Sequence, residues 1–165
     1  MNSATLVGSL IFAVVLVVVI AIVIQLMMVG WRRRARRQEE LIGDLPDVPI
    51  EVGAATTTLR GVYVGSTLGT EWTERVTAGD LGYRSKAVLS RYPEGILLQR
   101  IRANPIWIPQ DSIAEVRTGR QMAGKLAARN GILAIRWRLP SGIEIDTGFR
   151  ASNRDEYDGW VEEAA

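Results

Sequence analysis

Residues 132–149 read ILAIRWRLPSGIEIDTGF. Leu133, Ile135, Trp137 and Leu139 alternate with Arg136 and Arg138, and past the turn Ile143, Ile145 and Phe149 alternate with Glu144 and Asp146. Apolar residues recurring at a period of two mark a strand with one buried face. Pro140, Ser141 and Gly142 suit a three-residue loop with glycine in the left-handed position, which predicts a β-hairpin. Its register sets Trp137 against Ile145 inside, and Arg138 against Glu144 and Arg136 against Asp146 outside. Cross-strand charge pairing then accounts for both arginines without a ligand.

Strand signals continue upstream. Val62, Tyr63 and Val64, followed by Trp72 and Val76, predict a first hairpin. SKAVLSRY and GILLQRI flank Tyr92-Pro93-Glu94-Gly95, with proline and glycine at the second and fourth positions of a type I turn. PIWIP and SIAEVRT supply two more strands. Downstream, a helix is expected over about 153–163. Ser152 or Asn153 caps it, Asp155, Glu156 and Asp158 favour its N-terminal dipole, and Tyr157, Trp160, Val161 and Ala164 share one face. Gly159 weakens it by about 1 kcal/mol relative to alanine. Trp72, Trp107, Trp137 and Trp160 are expected to pack rather than bind.

The N-terminal end is of another kind. Residues 6–29, LVGSLIFAVVLVVVIAIVIQLMMV, include only Ser9 and Gln25 as polar side chains. As a helix they span about 36 Å, enough for a hydrocarbon core of about 30 Å. The run is long for a signal peptide and has neither a basic leader nor a small-x-small cleavage site before the arginines, so an uncleaved anchor is expected. Trp31 follows, then Arg32, Arg33, Arg34, Arg36 and Arg37, an aromatic and basic edge that marks the cytoplasmic side and contacts headgroups. The expected topology is a single pass in the plasma membrane, N-terminus outside and C-terminal domain in the cytoplasm. Gln25 offers a partner helix a hydrogen bond, which leaves room for an oligomer.

Composition closes several doors. The 165 residues carry 20 Lys+Arg and 18 Asp+Glu, but from Ile50 onward the balance is 15 to 14, so no nucleic-acid partner is expected. The chain has neither cysteine nor histidine. That removes disulfides, thiolate chemistry and the commonest general base and metal ligand, so no catalytic residue, metal or cofactor is expected. Gly119 to Lys125 approaches a phosphate-binding loop, but Leu126 stands where magnesium needs a hydroxyl. Gly65-Ser66-Thr67-Leu68-Gly69 misplaces its serine for a nucleophile elbow.

YPEGILLQR, WIPQDSIAEVR, GILAIRW, IDTGFR and RDEYDGWVEE together resemble the small membrane-anchored pleckstrin-homology-like (PH-like) domain proteins of actinobacteria, which are often labelled putative transporters or export proteins. The resemblance covers roughly residues 55–165. It implies a PH-like barrel of six or seven antiparallel strands with a C-terminal α-helix, and no catalytic signature. The basic cluster by which lipid-binding PH domains grip inositol phosphates is diluted here, Arg60 and Arg75 being offset by Glu71 and Glu74.

The expected organisation is a transmembrane helix over 5–31, a basic flank and spacer over 32–49 and the barrel over 50–165. Pro46 and Pro49 argue against helix in the spacer. Arg117, Arg120, Lys125 and Arg129, with no acid between them, are candidate contacts for anionic lipid. The function expected is a non-catalytic interaction or scaffold module with a membrane-protein or cytoplasmic protein partner. An anionic-lipid sensor and an accessory subunit of a transport or export complex are the alternatives.

Overall fold

The computed structural model describes residues 3–69, 74–119, 121–122, 125–126 and 131–161. They fall into two compact units, Met1–Arg37 and Gln38–Ala165. Helix α1 runs through Ser3–Ile42, and its apolar stretch is long enough to cross a membrane and has no side chain buried within the protein. A helix so rich in valine and isoleucine owes little to intrinsic propensity.

The spacer expected after Arg37 is helical as far as Ile42. Proline restricts itself and the residue before it, so Pro46 and Pro49 leave Gln38–Ile42 free to continue the helix. Gly43 ends it, at φ +64° with its N–H on the Glu39 carbonyl at 2.9 Å.

Among the described residues nine strands follow: β1 Thr57–Leu68, β2 Ser85–Tyr92, β3 Gly95–Arg100, β4 Ile106–Pro109, β5 Ile113–Gly119, β6 Gln121–Met122, β7 Lys125–Leu126, β8 Ile132–Arg138 and β9 Glu144–Ala151. Seven form one antiparallel sheet in the order β4-β3-β2-β1-β9-β8-β5, and β6 and β7 pair by themselves. The edge strands β4 and β5 are joined by a single turn, Gln110–Ser112. In a flat sheet those edges lie about 29 Å apart, while so short a link reaches at most about 14 Å. The sheet therefore rolls into a barrel. At the crossing of β1 and β9 only glycine fits at position 61, because a Cβ there would overlap the Arg150 carbonyl oxygen.

The last hairpin has the expected register: Trp137 faces Ile145, Arg136 faces Asp146 and Arg138 faces Glu144. The β2–β3 hairpin closes at Tyr92 and Gly95 around Pro93 and Glu94. The first hairpin differs. β1 takes β2 and β9 as its partners, and the segment read as its second strand retains one bridge, Thr67 to Arg75. β2 brings Ala87 and Leu89 inward over a long pairing, whereas Trp72 lies outside the described residues.

The core gathers Leu59, Leu89, Leu98, Leu133, Trp137 and Phe149 inside the barrel. The α-helical part of the C-terminal segment begins later than expected. A 3-10 turn over Arg154–Tyr157 precedes α2, Asp158–Val161, and residues 162–165, including Ala164, lie outside the described set. Asn153 does cap it, accepting from the Asp155 N–H at 3.3 Å. Tyr157 and Trp160 are buried, and the Tyr157 hydroxyl accepts from the Ala151 N–H at 2.8 Å.

Candidate functional site

The inward phase of β2 is Ala87, Leu89, Arg91, and that of β3 is Ile96, Leu98, Arg100. Each series ends on a buried arginine. Because Arg91 pairs with Ile96 and Ala87 with Arg100, the two cations stand at opposite ends of the hairpin, about 13 Å apart along the strands. Arg91 lies over the Trp160 ring at 5.7 Å and donates to the Trp160 carbonyl at 3.4 Å, closing one end of the barrel with α2.

At the other end Arg100 lies over Tyr63, 5.0 Å from the ring centroid. Its Nε donates to the Asn104 carbonyl at 2.8 Å and its Nη1 to the Asp80 carbonyl at 2.5 Å. Nη2 has no hydrogen-bond acceptor and stands 3.9 Å from Asp80 Oδ2. That carboxylate oxygen accepts from the Asn104 side chain at 2.6 Å. Burial pulls the Arg100 pKa down, against the opposing pull of Tyr63 and Asp80. Burial also pushes the Tyr63 phenol up to about 12, although its bond to Ser66 works the other way.

From this mouth a polar chain runs inward. Tyr63 donates to the Leu81 carbonyl at 2.8 Å and sits 3.0 Å from Ser66 Oγ, which is 3.1 Å from Thr147 Oγ1. Trp137 Nε1 donates to Thr147 at 2.9 Å. Every hydroxyl in this chain has a partner and none faces a base, so the chain organises the core rather than activating a nucleophile.

A cavity of about 610 Å³ opens outside Arg100, lined by Ile42, Leu45, Leu81, Asp44, Asp47 and Asp80 among others. The chain enters the domain here. The Gln38 side-chain carbonyl accepts from the Thr77 N–H at 3.0 Å and the Thr77 hydroxyl at 2.7 Å, its amide donates to the Arg75 carbonyl at 3.4 Å, and Ile42 is only 3% exposed.

On the outer sheet face Asp146 collects two arginines. Arg136 donates to both its oxygens, at 2.8 and 3.0 Å, and Arg117 to one at 2.6 Å. Burial by itself raises the Asp146 pKa, but the bonds from the two guanidinium groups outweigh it and hold the carboxyl below its ordinary value. Arg138 meets Glu144 at 3.0 Å in a more exposed pair. Arg117, a candidate lipid contact, is thus engaged with a carboxylate. Arg120 and Arg129 lie outside the described residues, as does the side chain of Lys125, whose backbone pairs with Met122. Trp31, Arg32, Arg33, Arg34, Arg36 and Arg37 are exposed on α1. Among the described residues no cluster of three metal-binding side chains occurs.

Residue order alone assigned no role to Arg91, Arg100 or Gln38, and only a strand position to Tyr63. The two arginines were findable, since each continues the inward phase of an apolar alternation. No curated protein matches the chain. Residues 42–165 match a family described as bacterial PH domain-like, a span that starts at the buried Ile42 and takes in every strand. With its sheet order, its rolled closure and its C-terminal tryptophan helix, the chain belongs to the bacterial PH domain-like family.

Proposed function

We propose that this chain is a membrane-tethered, non-catalytic interaction module, with the barrel at the cytoplasmic face of the plasma membrane and the N-terminus outside. The observation that carries this reading is a long apolar helix, bare within the protein, continuous in sequence with a PH-like domain. Lipid is the solvent that suits such a helix, and the arginines after it resist translocation. Tethering raises the concentration of the barrel around membrane proteins without any new contact. The partner is a membrane or cytoplasmic protein. The resemblance to actinobacterial membrane-anchored proteins favours an accessory place beside a transport or export complex.

Crosslinking in native membranes followed by mass spectrometry tests the partner, and protease added to spheroplasts tests the topology. A recurrent membrane-protein partner and a protected barrel are expected. Digestion of the barrel from outside would overturn the topology, and a chain that crosslinks to nothing would overturn the scaffold role.

A further inference from the structure

Between α1 and β1 the chain lies on the barrel without bonding to it. Among the described residues no hydrogen bond engages residues 44–52. The bonds that bracket them are the Gly43 N–H on the Glu39 carbonyl at 2.9 Å and the Gly53 N–H on the Glu94 carboxylate at 3.2 Å. Attachment is left to side chains. Leu45 packs half-buried against the core and Pro46 is half-buried, whereas Asp47, Val48, Pro49, Ile50 and Glu51 are exposed. A segment with unbonded backbone and little buried surface opens at far less cost than the strands beneath it. Pro46 and Pro49 stiffen its middle, which leaves the turning to the glycines at its two ends.

The segment is also a wall. Residues 43–48 line the cavity of about 610 Å³ together with Ala78, Leu81 and Arg100 of the barrel. Pro46 lines a second cavity, of about 480 Å³, with Pro109, Ile113 and Leu139.

Charge works against closure. The larger cavity gathers Glu39, Asp44, Asp47 and Asp80 around one guanidinium, that of Arg100, which stands 3.9 Å from Asp80. Asp44 and Asp47 ride on the segment, and no ion pair among the described residues engages either. Arg100 and Asp80 offset each other, and so do Arg138 and Glu144 at the second cavity, where Asp111 also lies. Laying the segment down therefore brings two carboxylates towards the unbalanced Glu39 and Asp111. We infer that residues 44–52 form a lid, hinged at Gly43 and Gly53, that lifts while the strands stay folded and is biased toward opening by its own carboxylates. Lifted, it merges the two cavities and bares an apolar floor of Ile42 and Leu81 beside Arg100.

The absence of native cysteine makes the test direct. Ala78 and Ala151 are each 6% exposed, but only Ala78 lines a cavity walled by the segment. In the full-length protein in mild detergent, Ala78→Cys is expected to react with a water-soluble maleimide at a rate that low urea leaves unchanged. Ala151→Cys should react more slowly, at a rate that climbs with urea as global unfolding does. Asp146→Asn, which weakens the barrel, should speed labelling at 151 about ten-fold and leave 78 alone. Leu45→Ala should speed labelling at 78 about five-fold by loosening the lid. Asp44→Asn with Asp47→Asn should slow it roughly two- to five-fold, and added salt should act in the same direction. Equal, urea-dependent rates at 78 and 151, or no response to Leu45→Ala, overturn the lid. A rate that the asparagines leave unchanged or raise overturns its charge bias. If Ala78→Cys unfolds the barrel, thermolysin on the unsubstituted protein decides. Cuts within residues 44–52 that quicken with Leu45→Ala support the lid, and cuts that wait for unfolding in urea overturn it.

Discussion

Two regions bring an arginine to an aspartate. At the mouth the Arg100 side chain is fully buried and its nearest carboxylate oxygen, on Asp80, is 3.9 Å away. On the outer face Arg136 keeps part of its side chain in water and grips Asp146 through bonds of 2.8 and 3.0 Å. The arginine pKa moves in opposite directions. Burial lowers that of Arg100, whereas the hydrogen bond to Asp146 raises that of Arg136. Desolvation wins where the geometry is loose and the site dry, and a bidentate bond wins where it is tight. The first arrangement is held in place by the rest of the fold, and the second helps to hold the sheet.

The contrast is most exposed to attack at Arg100. Arg100→Ala removes a buried cation from two carbonyls and a ring, and should destabilise the barrel by about 3–5 kcal/mol, read from the urea midpoint in mild detergent. Arg100→Met, which keeps the apolar stem, should recover part of that loss. A smaller loss for alanine than for methionine would mean that the site is not dry.

Asp146→Asn strips charge from a two-arginine cluster and should cost about 1.5–3 kcal/mol at neutral pH. The sign with pH is definite. The folded carboxyl lies below the unfolded value of about 3.9. Its contribution is therefore complete above that value and fades as pH falls through the folded pKa. The variant should flatten the acid limb of the stability curve, and an unchanged limb would mean that the cluster contributes nothing.

Gln38→Ala tests whether the mouth is held from the helix side as well. It breaks bonds to Thr77 and Arg75 and should cost about 1–2 kcal/mol, read by the same midpoint. Tyr63→Phe should cost about 1 kcal/mol at neutral pH. Since the folded phenol is pushed up to about 12, against about 10 when unfolded, its stabilisation is complete below pH 10 and is lost as pH climbs to 12. Phenylalanine should abolish that alkaline loss. Smallest of all is Arg138→Ala. Its pair with Glu144 is 64% and 40% exposed at the side chains, so a change of under about 1 kcal/mol is expected, shrinking in salt.

The Arg136–Asp146 and Arg138–Glu144 pairs were readable from residue order because strict alternation plus a three-residue turn dictates register, whereas Arg117 reaches Asp146 from β5, which no local register predicts. The partner of β1 was not readable in that way. Nothing local distinguishes pairing with the nearby Trp72 segment from pairing with Ser85–Tyr92, and the choice depends on which alternative fills the barrel. The helical end of α1 was missed because two prolines beyond it dominated the reading, although Gly43 carried the stop signal. Tyr63 and Ser66 lie on β1 and Thr147 on β9, and only the fold brings the third hydroxyl to the other two.

The sheet order has a temporal meaning. One edge of β1 is satisfied early, by β2, but the other waits for β9, with Tyr63 opposite Phe149. At ribosomal speeds of about 5–20 residues per second, roughly 4–17 s pass between the synthesis of those two residues. Throughout that interval a greasy half-sheet keeps a bare hydrogen-bonding edge. Such a nascent intermediate is the state in which chaperones would meet this chain, and variants that slow the final hairpin should aggregate during translation even where the finished barrel is stable.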